Sequence, residues 1–160
     1  MADGGASELI MLITGLLTAG IVTSLLIASW GGLATSVDTA KTEAEANSMT
    51  QAALASDSMQ ISWNQTACNL TLHVQNTGSL ELKTDNIGLV INGSAARVSQ
   101  VQLLDNSTVW VKGEVAELNA CPTGMTLTSG QEITITVIVQ SEEYKGISGQ
   151  YSFYEVIRIV

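Results

Sequence analysis

The chain has 160 residues, of which 46% are apolar, 13% are charged and 4% are aromatic. Six Lys and Arg residues stand against fifteen Asp and Glu residues, giving a formal net charge of -9. Phosphate groups are bound by basic surfaces, so this charge argues against nucleic acid and against polybasic attachment to anionic lipid. The apolar content argues against disorder. The length suits one compact domain, or a small domain with an additional segment.

The apolar residues are concentrated near the N-terminus. Between Leu9 and Val37 there are 29 positions without a charged residue, and a helix needs about 20 such residues to cross a bilayer. The run is apolar on all sides, which predicts lipid or other helices around it. A cleaved secretory signal is the alternative, but such signals have a basic start and a shorter apolar core. Here Asp3 and Glu8 precede the run, without Lys or Arg.

Good helix formers continue after the apolar run, without proline or glycine, to about Ala55. We therefore predict one helix from about Ser7 to Ala55, with a bend or short melted stretch at Gly31-Gly32, because glycine weakens a helix interior. Such a helix would be about 70 Å long. A domain of this size cannot bury it, so it must pack against other chains or lipid.

Small residues recur along the apolar run and predict close helix–helix packing. Frequent glycine and alanine in membrane spans is the alternative explanation. The candidate packing residues are Gly15, Ala19, Gly20, Thr23, Ser24 and Ala28, with Glu8 at the start of the run. A buried Glu8 would need a neighbouring amine or polar group, because an isolated buried carboxylate is costly.

From about Ser58 the pattern changes to the alternation of apolar and polar residues that is typical of strands. Turn residues, among them Asn92-Gly93 and Lys145-Gly146, separate the segments, so we predict seven to nine short strands in a β-sandwich of about 100 residues. The predicted class is α+β, with an N-terminal helix over 1–56 and an Ig-like β-sandwich over 57–160. The alternating segments cover 59–63, 70–74, 87–93, 96–104, 107–113, 125–128, 133–140 and 150–160.

Cysteines and glycosylation sequons bear on the compartment. In an exported domain Cys68 and Cys121 would pair, whereas in a cytosolic protein they would be buried thiols. Four N-x-[ST] sequons lie in the β region, at turns or on polar strand faces. Together these features favour an extracytoplasmic domain. The four sequon asparagines are Asn64, Asn69, Asn92 and Asn106.

We find no catalytic constellation and no cofactor motif in the sequence. The single histidine, His73, alternates with apolar strand residues and is predicted to be solvated. The cysteines lack zinc-ligand spacing. Asp85-Asn86 and Asp105-Asn106 are Asp-Asn pairs, which could contact a calcium ion but are common in turns. No metal site is therefore predicted. We therefore expect a protein that is not an enzyme and has no small-molecule substrate.

The order of these segments resembles archaeal type IV pilin-like filament proteins. The stretch Ala6 to Leu26, ASELIMLITGLLTAGIVTSLL, is similar to the N-terminus of the FlaG family of archaellum proteins. VQNTGSLELKTDNIGLVING, from Val74 to Gly93, resembles that family's strand, Asn-x-Gly turn and following strand. STVWVKGEV and LTSGQEITITV continue in the same order.

This resemblance implies a non-enzymatic part of an archaeal cell-surface filament, inserted in the membrane before assembly. Its partners would be copies of itself and related filament or envelope proteins. Two roles remain open: a subunit polymerised through its helix, or a membrane-anchored accessory or stator module. Gly4-Gly5 follows Met1-Ala2-Asp3, without the basic residue that precedes the cleavage site in related pilins. Processed and unprocessed forms therefore both remain open.

Overall fold

The structure is a computed structural model that describes residues 4–122 and 124–160. The chain forms two compact units, one ending at Lys41 and the other spanning Thr42–Val160. The residues Met1 to Asp3, which bear on N-terminal processing, lie outside the described part.

The N-terminal helix, α1, spans Gly4–Met49. It continues without interruption through Gly31 and Gly32, so the melted stretch predicted there is absent. It ends about six residues before the predicted Ala55. The reason is tertiary: Ala52–Leu54 forms a strand that pairs with a distant strand, so pairing overrides local helix propensity.

Eight strands follow the helix. Their bounds are β1 Ala52–Leu54, β2 Trp63–Asn64, β3 Asn69–Asn76, β4 Gly88–Ile91, β5 Ser94–Leu103, β6 Val115–Pro122, β7 Glu132–Tyr144 and β8 Ile147–Arg158. All pairings between them are antiparallel. The α+β prediction, with a long apolar helix before a β-sandwich, is confirmed.

The strands are hydrogen-bonded in the order β1-β3-β6-β5-β4-β7-β8, and β2 also pairs with β3. Outside these strands, Ile61 forms a parallel bridge with Ile159, which joins the segment between β1 and β2 to the residues after β8. The sheet therefore turns back on itself and encloses a single apolar core. In β7 alternate residues from Ile133 to Val139 are buried, as the sequence pattern predicted.

Three predicted strand segments are not regular strands. In 59–63 only Ile61 forms a bridge before β2 begins at Trp63. In 107–113 only Trp110 does so, pairing with Leu82, and 125–128 contains no strand.

Local hydrogen bonds explain the middle segment. The Asp105 carboxylate accepts from the Ser107 N–H at 2.9 Å, and the Glu114 carboxylate accepts from the Val111 N–H at 3.0 Å. The bond from the Ser107 N–H favours the charged carboxylate and holds the pKa of Asp105 below its ordinary value. The buried Trp110 ring donates from Nε1 to the Glu114 carbonyl at 3.0 Å. The backbone polar groups of this segment are satisfied mainly by hydrogen bonds within turns, rather than by a regular series of bonds to a neighbouring strand.

The predicted turns lie at strand ends. Asn92-Gly93 joins β4 to β5, and Lys145-Gly146 joins β7 to β8. All four residues have positive φ, between 47° and 82°. Positive φ at both residues is the conformation of two-residue hairpin turns, whose twist matches that of the flanking strands. This requirement explains why Asn and Gly occur there.

Candidate assembly surface

The surface of α1 is apolar and exposed on every side along the uncharged run. The exposed side chains include Met11, at 78%, and Trp30, at 71%. By length and composition this helix is able to cross a membrane. The hydrophobic effect favours covering such a surface, at about 25 cal/mol per Å² where water is the alternative.

The hydroxyl groups in this run are already satisfied. All seven Ser and Thr side chains between Leu9 and Val37 donate to a carbonyl three or four residues earlier in the same helix. The donors are Thr14, Thr18, Thr23, Ser24, Ser29, Thr35 and Ser36. Covering the helix with lipid or other helices therefore leaves none of these hydroxyls without an acceptor.

The predicted packing residues form two rows with i, i+4 spacing. Gly15, Ala19 and Thr23 make one row, and Gly20, Ser24 and Ala28 make the other. At 3.6 residues per turn the rows lie about 140° apart around the helix. A Cβ added at Gly15 or Gly20 meets nothing within 4 Å.

Glu8 is exposed and lies in the second turn of α1. Trp30 follows 22 residues later, which corresponds to about 33 Å along a helix. This matches a hydrocarbon thickness of about 30 Å. The segment between the Glu8 carboxylate and the Trp30 indole thus has the length of one membrane span. The indole has an apolar body and a polar N–H, which suits it to the membrane–water boundary.

The end of α1 is fixed to the β unit by contacts that the sequence analysis missed. Ala46 and Thr50 are completely buried. The Asn47 side-chain oxygen accepts a 2.7 Å hydrogen bond from the Gln150 N–H, and the Met49 carbonyl accepts one of 2.8 Å from the Ser79 N–H. No local pattern marks these residues, because their partners are distant in the sequence.

Two glycines make this close approach possible. A Cβ at Gly149 would collide with Thr50 Oγ1 and would lie 2.6 Å from the Ala46 carbonyl carbon. A Cβ at Gly78 would collide with the Met49 carbonyl oxygen and lie 2.6 Å from the Gln51 nitrogen. The backbone of the helix end therefore lies directly against the β7–β8 hairpin and the segment after β3.

A surface ion pair lies at the same junction. Lys145 Nζ is 3.2 Å from Glu45 Oε2 and 4.8 Å from the centroid of the Tyr144 ring. The Tyr144 side chain and the Glu45 carboxylate raise the pKa of Lys145 above its ordinary value. The lysine is well exposed, so we assign the pair little stabilisation.

Cys68 and Cys121 are joined by a disulfide that connects the turn before β3 to β6, with 5.2 Å between their Cα atoms. The two cysteines are 53 positions apart in the sequence. A disulfide is compatible with an extracellular compartment.

The sequon asparagines differ in the environment of Nδ2, the nitrogen that would carry a glycan. Asn64, Asn92 and Asn106 are exposed. The side-chain oxygens of Asn64 and Asn92 accept from the backbone N–H groups of Ala67 and Thr134. Within the part of the chain that the structure describes, no hydrogen bond is formed by Nδ2 of Asn64, Asn92 or Asn106. Asn69 is half-buried, and its Nδ2 donates to Asn119 at 2.8 Å.

His73 is half-exposed in β3. Its Nδ1 lies 3.2 Å from Ser56 Oγ, and its Nε2 lies 3.7 Å from the Glu117 carboxylate. Within the described residues, no group of three or more His, Cys, Asp or Glu side chains has the arrangement needed to hold a metal ion.

The chain was compared with known proteins. No protein-family model matches it, and no curated protein matches it.

Proposed function

We propose that this chain is a non-enzymatic structural subunit of an archaellum-like or type IV pilus-like filament on the archaeal cell surface. Its helices would form the filament core and its β domains would lie outside, in a filament that serves motility or adhesion. The chain would be inserted in the membrane before assembly. The observation that carries this proposal is the surface of α1, which is apolar and exposed on every side from Leu9 to Val37.

Two rows of small residues support a core made of copies. Because the rows lie about 140° apart, one helix can approach two neighbours closely at the same time. A filament core requires at least two such neighbours for every helix. A solitary membrane anchor needs neither row.

The disulfide and the exposed sequons support the extracellular placement of the β domain. The bond between Cys68 and Cys121 persists in oxidising compartments. The free amide nitrogens of Asn64, Asn92 and Asn106 leave room for glycans that project into water.

A second function is supported by a different observation. The spacing of Glu8 and Trp30 matches one bilayer span, as expected for a membrane-anchored, FlaG-like accessory or stator module. In that case lipid, rather than copies of the chain, would surround α1. Its β domain would bind envelope or other filament components.

Electron microscopy of the full chain after detergent removal separates the two functions. We expect helical filaments if the chain is a subunit. If the chains form no filaments and stay dispersed only when detergent or lipid is present, the result would favour the anchored module.

Glu8→Ala provides a second comparison. In a filament core the carboxylate needs a partner from a neighbouring chain, so its removal should impair assembly. At a lipid–water boundary the same change should have hardly any effect on membrane insertion.

A further inference from the structure

The central part of the outward side of strands β4, β7 and β8 carries no charged side chain. The strands alternate, so the buried residues of each point into the core and the intervening residues point outward. Charged residues border this surface: Glu132 and Arg158 pair at one end, Glu143 lies at the other, Glu155 lies between Tyr154 and Val156 in β8, and Arg97 follows the Ala96–Leu89 pair on the neighbouring strand β5. We call the surface the uncharged face; it consists of Gly88, Val90, Thr134, Thr136, Ile138, Ser152, Tyr154 and Val156.

The rows across this face are set by the strand register. Thr136 pairs with both Val90 and Tyr154, which places these three residues side by side. Ile138 lies over Gly88, where an added Cβ would be 3.3 Å from the isoleucine Cβ. Tyr154 is 75% exposed and Val156 is 54% exposed. The face therefore presents β-branched and aromatic side chains to the surroundings.

We propose that the uncharged face is the contact between the β domains of two copies of this chain. The inference rests on the proposed function, in which copies assemble through their helices. From Ser58 onward the chain has nine acidic and five basic residues, so the β domains of two copies carry the same net charge and repel each other. Contact through the uncharged face keeps these charges at the rim, where solvent and salt screen them within about 10 Å.

The residue types fit a contact of this kind. Tyrosine is enriched in protein interfaces because it buries a large rigid surface and still has a polar group for the rim. Charged residues are depleted at interface centres, and this face has none among its eight positions.

The size of the face explains why it would act only within an assembly. Three strands about 4.8 Å apart, with six residues of about 3.4 Å rise, cover roughly 300 Å². A stable interface buries about 800 Å² on each partner. The contact is too small to hold free chains together, but helices that bring the domains close raise their effective concentration.

Covalent footprinting of Tyr154 in the full-length protein tests the proposal. The modification rate of Tyr154 by hydroxyl radicals would be measured by mass spectrometry in detergent-dispersed chains and in assemblies formed after detergent removal. We expect a several-fold lower rate in the assembly. The variant Val156→Glu, which adds a charge beside Tyr154, should restore the rate of the dispersed chain.

Val109→Glu is the matched control. It replaces another exposed valine, in the loop between β5 and β6, with the same charge, and it should leave the protection of Tyr154 unchanged. Equal modification of Tyr154 in dispersed and assembled wild-type chains would overturn the proposed contact while leaving filament formation intact. Loss of protection in Val109→Glu but not in Val156→Glu would assign the contact to that loop instead. Failure of the wild-type chain to assemble would overturn both this proposal and the proposed function.

Discussion

The side-chain oxygen of Asn47, near the end of α1, accepts a 2.7 Å hydrogen bond from the backbone N–H of Gln150 in β8. The two residues are 103 positions apart in the sequence. β8 ends the strand order, so this bond satisfies a donor that no further strand pairs. The last turns of the helix are thereby part of the β unit, which begins at Thr42.

This junction should be sensitive to Gly149. In Gly149→Ala, the added Cβ collides with the end of the helix, so we expect the free energy of unfolding to fall by about 1–3 kcal/mol. Urea unfolding of the detergent-solubilised chain, followed by tryptophan fluorescence, measures the change. Gly15→Ala, where a Cβ meets nothing within 4 Å and alanine is the better helix former, should not lower the midpoint. A Gly149→Ala midpoint equal to that of the wild type would contradict the close packing described here.

Removal of the disulfide should destabilise the β unit. For the double variant Cys68→Ala and Cys121→Ala we expect a loss of roughly 4 kcal/mol, according to the chain-entropy estimate for a loop of this length. The same urea titration measures this loss. Alkylation under non-reducing denaturing conditions is the companion measurement, and finding both thiols free would contradict the bond.

Glycosylation should discriminate between the sequons. In native material we expect glycan on at least one of Asn64, Asn92 and Asn106, whose amide nitrogens are free. Asn69 should be unmodified, because its nitrogen is half-buried and bonded to Asn119. Peptide mass mapping gives the result for each site. Glycan on Asn69 alone would contradict this ranking, and the bare polypeptide mass would remove glycosylation as support for export.

Gly20→Leu tests the packing of the helices. A Cβ added at Gly20 meets nothing within 4 Å, and leucine is a better helix former than glycine, so the single chain should remain folded. Between helices it would prevent close approach, and we expect assembly to be abolished. Sedimentation after detergent removal, with circular dichroism as the folding control, measures both effects. Gly20→Ala adds a single methyl group and should be far milder. Normal assembly of Gly20→Leu would rule out close packing at this row.

Truncation should separate assembly from folding. Chains beginning at Thr42 or at Ser58 should remain soluble without detergent and form no filaments, because the apolar helix is absent. The Ser58 chain should be less stable than the Thr42 chain, since it also lacks β1 and the buried Ala46 and Thr50.

Full-length assemblies should persist in high salt and disperse in detergent, which competes for the helices. Light scattering, recorded at increasing salt and at increasing detergent concentration, measures both effects. Filaments formed by either truncated chain would point to pairing of exposed strand edges as the polymerising contact.

Local patterns in the sequence were sufficient for most of the elements. The apolar run and the helix formers after it predicted α1, and the alternation from Ile133 to Gln140 predicted most of β7, because alternation reflects which side of a strand is covered. Asn92-Gly93 and Lys145-Gly146 identified the hairpin turns, because few residues adopt a positive φ. These features depend on neighbours in the chain, and the sequence alone determined them.

Only the tertiary structure decided where the helix ends, which strands pair and which surfaces remain uncovered. The residues of β1 were predicted to form the last turns of α1, but they form a strand because they pair with β3 through backbone hydrogen bonds. Trp110 is held outside the regular strands by Leu82 and Asn76, whose backbone N–H and side-chain Nδ2 donate to its carbonyl. The uncharged face likewise exists only because the register aligns Val90, Thr136 and Tyr154, which lie on three separate strands. Each of these outcomes depends on partners dozens of residues away, and such pairings leave no periodic signal in the sequence.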